Sequence, residues 1–173
     1  TFDVGRAEIF HDIFLCANGD FIACGGSEEG IGRYRGEFWI LRADENGEEI
    51  WSQTYDGEGV SGMGYSLIET EEGNFIAGGI IGNYFGAILV DNEGNHIWSN
   101  TYGEDGGGCF AVIELKSGEF LLTGRSNRNP SVGYVLCLDG EGDIIWDLEV
   151  DEGALSQFNA MRETEGGIVL GGS

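Results

Sequence analysis

Basic residues are scarce in this chain: eight stand against 31 acidic ones, Lys116 is the one lysine, and the net charge is −23. A surface of that sign repels nucleic acid and anionic membrane, so neither is an expected partner. Proline occurs once and histidine twice. No apolar run approaches the ~18 residues of a membrane-spanning helix, so no membrane insertion is expected. The four cysteines, Cys16, Cys24, Cys109 and Cys137, form no Cys-x-x-Cys and have no histidine at ligand spacing, which argues against a zinc site. Cys16 and Cys24 flank an expected turn at Asn18-Gly19 out of register for a disulfide. All four read as small buried apolar groups, which leans toward a reducing or anaerobic setting. No secretory leader is visible; one could have been removed ahead of Thr1.

Glycine is plentiful, with 32 residues, and 41% of the chain is apolar, so a core and many tight turns are both available. The chain also repeats itself. Asp44-Glu45-Asn46-Gly47-Glu48-Glu49-Ile50-Trp51 returns as Asp91-Asn92-Glu93-Gly94-Asn95-His96-Ile97-Trp98, and again as Asp139-Gly140-Glu141-Gly142-Asp143-Ile144-Ile145-Trp146. The tryptophans are 47 and 48 residues apart. A fixed period of this size marks an array of supersecondary units, none able to bury its apolar face alone.

Each unit divides into four short segments rich in β-branched and aromatic residues. The first is Gly64–Thr70, matched by Phe10–Cys16, Cys109–Leu115 and Phe158–Thr164. A turn at Asn18-Gly19, Glu72-Gly73, Ser117-Gly118 or Gly166-Gly167 leads to the second: Phe21–Gly25, Phe75–Gly79, Phe120–Gly124 and Ile168–Gly172. The third is Trp39–Ala43, Ala87–Val90 and Tyr134–Leu138. The Asp-x-x-Gly turn then leads to Ile50–Tyr55, Ile97–Tyr102 and Ile145–Val150. This is strand chemistry at all-β spacing. Four strands per unit predict an all-β fold: a β-propeller of four-stranded antiparallel blades, with the fourth-strand tryptophans packed between blades. The expected blades are 7–55, 56–102 and 103–150, with a half blade at 151–173, all within one partial propeller spanning 1–173. Thr1-Phe2-Asp3 matches Thr54-Tyr55-Asp56, the tail of a fourth strand. Propeller rings usually hold 4–8 blades. The chain therefore reads either as a piece of a longer array or as a half-ring that pairs with a second copy through its incomplete blade.

The pattern Glu37-x-Trp39-Ile40-x-Arg42-x-Asp44-x-x-Gly47-x-x-x-Trp51-x-x-Thr54-Tyr55 resembles the bacterial and archaeal β-propeller repeat family, distantly similar to quinoprotein-type propellers. The likeness runs over nearly the whole chain. It implies the fold and an extracellular or cell-surface binding role; it carries no quinone-binding motif. The second and third units depart from it, with Gly86 and Tyr134 where the first has Trp39.

In a propeller the tight turns share one face, and the longer connections share the other, where binding concentrates. Arg33, Tyr34 and Arg35 fall in the long second-to-third connection of the first unit, and Arg125 and Arg128 in that of the third. Asp56, Glu104 and Asp105 lie in connections between units on the same face. Arginine, tyrosine and carboxylate together suit a polar ligand such as a glycan, peptide or protein. The plainer reading is that the arginines neutralise an acidic rim. The Asp-x-x-Gly turns have calcium-ligand residue types but lack an EF-hand frame; no cofactor is expected, and calcium is the one candidate. His11 and Asp12 are adjacent on the expected innermost strand, where alternation sends them to opposite faces. No nucleophile–base set, phosphate loop or paired-acid signature stands out. The expectation is a non-catalytic binding module. The alternatives are a carbohydrate-active enzyme with carboxylates at the channel mouth, and a structural surface or assembly protein.

Overall fold

The computed structural model describes residues 7–28, 36–55, 61–151 and 157–173. Among the described residues there are fourteen strands and no helices. The first unit holds β1 (Ala7–Leu15), β2 (Phe21–Glu28), β3 (Gly36–Ala43) and β4 (Glu49–Tyr55). The second holds β5 (Gly62–Glu69), β6 (Phe75–Ile81), β7 (Tyr84–Val90) and β8 (His96–Tyr102). The third holds β9 (Gly107–Glu114), β10 (Phe120–Ser126), β11 (Val132–Leu138) and β12 (Ile144–Val150). Strands β13 (Phe158–Thr164) and β14 (Gly167–Gly172) form a separate hairpin. Each four-stranded sheet is an antiparallel meander in chain order. First strands pack side by side along the array, β1 on β5, β5 on β9 and β9 on β13.

The turns form as their residues dictate. Gly19, Gly73 and Gly118 take φ of +95°, +81° and +93° in the first turn of each unit, and Gly47, Gly94 and Gly142 take +81°, +83° and +83° in the Asp-x-x-Gly turn. In that second turn one aspartate oxygen accepts two backbone N–H groups: Asp91 Oδ1 takes those of Glu93 and Asn95 at 2.9 and 2.8 Å. Asp44 and Asp139 do the same. The Asn95 side-chain amide and these N–H groups hold the Asp91 carboxyl below the usual aspartate range. For Asp44 the Glu48 N–H is the main cause.

Every first strand carries a β-bulge at the same place, at His11, Tyr65, Phe110 and Asn159. The glycine facing each bulge admits a close approach of backbone. A Cβ at Gly25, Gly79, Gly124 or Gly172 would collide with the carbonyl oxygen of Ile9, Met63, Gly108 or Gln157. The bulge breaks strict alternation. Beside the first of these bulges Asp12 Oδ2 accepts Leu67 N of the second unit at 2.9 Å, and the His11 ring meets that of Tyr65.

Apolar cores fill the spaces between units. Phe38, Ile40 and Cys24 of the first meet Leu67, Phe75 and Ile88 of the second. Phe85, Leu89 and Ile76 of the second meet Cys109, Leu122 and Leu136 of the third. Leu121, Val135 and Cys137 meet Phe158 of the hairpin. All four cysteines are buried and unbridged. Burial pushes their thiols up, Cys16 to about 11, so they stay protonated and act as small apolar groups.

Hydrogen bonds then lock each unit to the next. Trp51 lies on Gly94, with ring atoms 3.0 Å from where a Cβ would stand, and its Nε1 donates to Asn92 O at 3.0 Å. Trp98 repeats this on Gly142, donating to Gly140 O at 2.9 Å. Tyr55 and Tyr102 hydroxyls donate to Gly94 O and Gly142 O at 2.8 and 2.9 Å. Near the first strands a glutamate of the following unit accepts a turn N–H: Ala17 N to Glu69, Glu71 N to Glu114 and Lys116 N to Glu163, at 2.7, 2.7 and 3.3 Å. Trp146 differs from its two counterparts. The hairpin has no Asp-x-x-Gly turn to offer, and the indole is 44% exposed. At the opposite end the described residues leave an apolar hollow of about 520 Å³ bordered by Phe10, Phe21, Leu41 and Gly47.

Two outcomes follow from these contacts. Gly79→Ala is expected to lower the unfolding free energy by about 1–3 kcal/mol in urea titration, through the clash with Met63 O. Gly73→Ala, where nothing lies within 4 Å, should cost only the strain of its positive φ, about 1 kcal/mol. Equal losses would refute the bulge argument. The folded chain binds the Asp91 proton more weakly than the unfolded one, so that stability is present above the ordinary aspartate pKa of about 4 and is lost below it. Asp91→Ala should melt at a lower temperature than the parent at neutral pH, and the gap should narrow between about pH 4 and pH 2.

Candidate binding cleft on the long-connection face

The locking bonds described above all involve the tight-turn face. On the opposite face a cleft of about 330 Å³ opens between the second and third units. One wall is the connection from β8 to β9. Gly103 and Gly106 there have φ of +77° and +74°. A Cβ at Gly106 would come within 2.6 Å of Asn83 O. Gly107 N donates to Asn83 O at 2.9 Å, and Asn127 N donates to Gly106 O at 3.1 Å. The segment is thus pinned between the β6–β7 turn and the β10–β11 connection. Glu104 and Asp105 are carried on this pinned segment at the cleft.

The facing wall comes from the third unit: Ser126, Tyr134, Asp147 and Glu149. The Tyr134 hydroxyl donates to Asp147 Oδ2 at 2.8 Å. Burial first, and then the Asp147 carboxylate, push the Tyr134 phenol well up, so it remains a donor. Arg128 stands at the rim, 3.0 Å from Glu149 Oε2 and 3.1 Å from Asp151 Oδ2. Four carboxylates therefore border the cleft, and one arginine pairs with one of them. The arrangement offers acceptors to hydroxyl, amine or guanidinium groups.

Of the residues singled out from the sequence, Glu104 and Asp105 line this cleft and Arg128 reaches it through Glu149. Arg125 does not: it alternates with Ser126 on β10 and lies on the opposite face of that sheet. Arg33, Tyr34, Arg35 and Asp56 lie outside the described residues.

Sequence reasoning missed Tyr134, Asp147 and Glu149, although a signal was present. The fourth strands read Trp-Ser-Gln-Thr-Tyr and Trp-Ser-Asn-Thr-Tyr in two units but Trp-Asp-Leu-Glu-Val in the third. The exchange is coupled across the sheet. In the first unit Trp39 Nε1 donates to Ser52 Oγ at 2.8 Å, and the equivalent pair in the third is Tyr134 and Asp147. The second unit has Gly86 and Ser99 there.

The bulges form a second feature. His11 and Tyr65 rings lie 4.7 Å apart, and Tyr65 meets Phe110 edge-on at 5.4 Å. The re-aimed side chains thus run in a row from unit to unit. Burial lowers the His11 pKa, which favours the neutral ring.

The chain defines an all-β class of protein built from repeated four-stranded antiparallel sheets that do not close on themselves. No family model matches it, and no curated protein does. The resemblance to the propeller-repeat family therefore rests on the repeat residues alone. Among solved structures it is similar to a protein of unknown function from Bacteroides caccae, with TM-score 0.66 and 13% identity over 94% of this chain and 56% of that one. It is also similar to PorZ of Porphyromonas gingivalis, described as an essential bacterial surface component of the type-IX secretion system. That likeness has TM-score 0.56 and 13% identity over 95% of this chain and 25% of PorZ. The chain thus spans about half the length of the first structure and a quarter of the second.

A double-mutant cycle tests the wall of the cleft. Tyr134→Phe and Asp147→Asn should each destabilise the chain slightly and show a coupling of about 1 kcal/mol, as a hydrogen bond to a partly exposed carboxylate warrants. Additive effects in urea titration would mean the bond contributes nothing.

Proposed function

We propose that this chain is a propeller-type, non-catalytic binding module that takes a polar ligand at its long-connection face, in the cleft between the second and third units. The propeller reading is supported by three successive meander sheets with neighbouring first strands and by the four-stranded period of the sequence. The observation that carries the binding reading is the pinned segment bearing Glu104 and Asp105 across from Tyr134, Asp147 and Glu149. A binding site needs polar groups held without freedom to relax, and here backbone bonds hold one wall and a sheet holds the other.

The sign of the cleft selects among polar ligands. With four carboxylates against one paired arginine, a peptide or protein segment carrying lysine or arginine gains more there than a neutral glycan. A cell-surface location is part of the proposal. It draws on the family resemblance and on the surface role printed for PorZ.

Calorimetric titration with lysine- and arginine-containing peptides and with neutral oligosaccharides tests the reading. Basic peptides should bind, and binding should weaken between about 0.05 and 0.5 M salt as charges are screened. Glu104→Gln combined with Asp105→Asn should cost about tenfold in affinity while leaving the melting temperature unchanged. Preference for the oligosaccharides would move the ligand class to glycans. Failure of both classes to bind, or chemical turnover of either, would overturn the proposal.

A further inference from the structure

The rim of the cleft already holds one cation, and the chain itself supplies it. Arg128 stands on the connection between β10 and β11, directly after Asn127, whose N–H is fixed to Gly106 O at 3.1 Å. Its guanidinium bridges two carboxylates, with Nη1 3.0 Å from Glu149 Oε2 and Nη2 3.1 Å from Asp151 Oδ2. Glu149 lines the cleft, and Asp151 follows β12 outside that lining. Asp147 and Glu149 alternate onto one face of β12, so the carboxylate under Arg128 and that of Asp147 open on the same cleft.

The bridge is weakly held. All three side chains are more than a third exposed: 38% for Arg128, 36% for Glu149 and 51% for Asp151. Ion pairs this open to water contribute little net stability. Arg128 Nε is buried and has no hydrogen-bond partner among the described residues, so the seated guanidinium leaves one donor unmet. Moving outward returns that N–H to water, and Asp151 can keep Nη2 while Nη1 leaves Glu149. The second unit manages without such a bridge. Ser99 and Thr101 stand where the third has Asp147 and Glu149, and its β6–β7 turn, Gly82-Asn83, bears no cation.

We propose that Glu149 is the subsite for an arginine side chain of the bound peptide, and that Arg128 is a tethered competitor for that subsite. The assignment rests on the binding role proposed above for the cleft; it adds which side chain is recognised and what limits its entry. Asp151 and Asp147 each lie two residues from Glu149, so a guanidinium fork that spans the first pair spans the second. Tyr134 takes Oδ2 of Asp147, which leaves Oδ1 for the ligand. An incoming arginine therefore replaces Arg128 on Glu149 with the same donor geometry and reaches Asp147 as well. A lysine ammonium is a point charge and matches only part of that pair. The tethered competitor lowers the apparent affinity according to the fraction of time it leaves Glu149 open.

Calorimetric titration of the full chain with a blocked Gly-Arg-Gly-Arg-Gly peptide and its lysine analogue tests this. The parent should favour the arginine peptide by roughly threefold or more. Arg128→Gln should bind that peptide roughly three- to tenfold more tightly, with the melting temperature nearly unchanged. In a Glu149→Gln background the gain from Arg128→Gln should vanish, whereas simple loss of a positive charge would act there too. In the unaltered chain, nitrogen NMR should show the Arg128 Nε–H resonance shifting on saturation with the arginine peptide, while that of Arg42, paired with Asp20, stays in place. Unchanged or weaker binding by Arg128→Gln, equal affinity for the two peptides, a gain that survives Glu149→Gln, or an unmoved Arg128 resonance would each overturn the inference and leave the binding role standing. Failure of the parent and of Arg128→Gln alike to bind either peptide would overturn both. Binding by Arg128→Gln alone would support both.

Discussion

An indole lying flat on a glycine is the contact on which the regularity of this molecule depends. Each sheet has two apolar flanks and buries them only against neighbours. Burial of side chains such as Phe38, Phe75 and Leu122, each worth about 1.5–3 kcal/mol, supplies the energy of the array. Apolar contact is not directional, however, and would tolerate sheets sliding past one another. The Trp51 and Trp98 hydrogen bonds, each worth about 1 kcal/mol, contribute less energy and fix the offset. They work only because the turn they meet ends in a buried glycine with positive φ. Near the first strands the glutamates Glu69, Glu114 and Glu163 fix the same offset a second time. Register is therefore set at two points on the tight-turn face, and again between neighbouring first strands, where Leu67 N and Val112 N donate to Asp12 Oδ2 and Ser66 Oγ at 2.9 and 3.3 Å.

That concentration has a consequence for the other face. The long connections add bonds between units, such as Gly107 N to Asn83 O, but they vary in length and charge. Where one of them is pinned, as Gly103–Gly106 is by Asn83 and Asn127, a cleft of defined shape results. The wall residues on the sheet differ from unit to unit through paired exchanges. Trp39 with Ser52 becomes Tyr134 with Asp147, keeping a donor and an acceptor while adding a negative charge. With net charge −23 there is little cation nearby to cancel it, and Arg128 answers for Glu149 and Asp151 only.

Much of this architecture was legible beforehand. Strand positions, turn glycines and the antiparallel four-stranded sheets followed from period and residue type, because turn chemistry and β-branched runs act over a few residues. The indole contact was legible for Trp51 and Trp98 but not its failure at Trp146, since that depends on a turn 40-odd residues away that the hairpin lacks. The bulges were illegible: Gly25, Gly79, Gly124 and Gly172 read as strand ends, and only a facing carbonyl explains them. At the cleft, attention went to loop arginines, and the informative residues lay on strands. Asp147 and Glu149 departed from the repeat in plain view, but a departure acquires meaning only once its position faces a neighbour.

The sequence by itself determined the unit: four strands, two glycine turns, an indole at a fixed place, and alternating flanks that require company. These are local matters of φ, side-chain shape and apolar pattern, and each is decided within a few residues of chain. Tertiary structure alone decided which units touch, which indole is seated, and which carboxylates share a cleft. Those outcomes arise from groups about one repeat apart in the chain. Their meeting depends on the offset between packed sheets, and no single repeat encodes that offset.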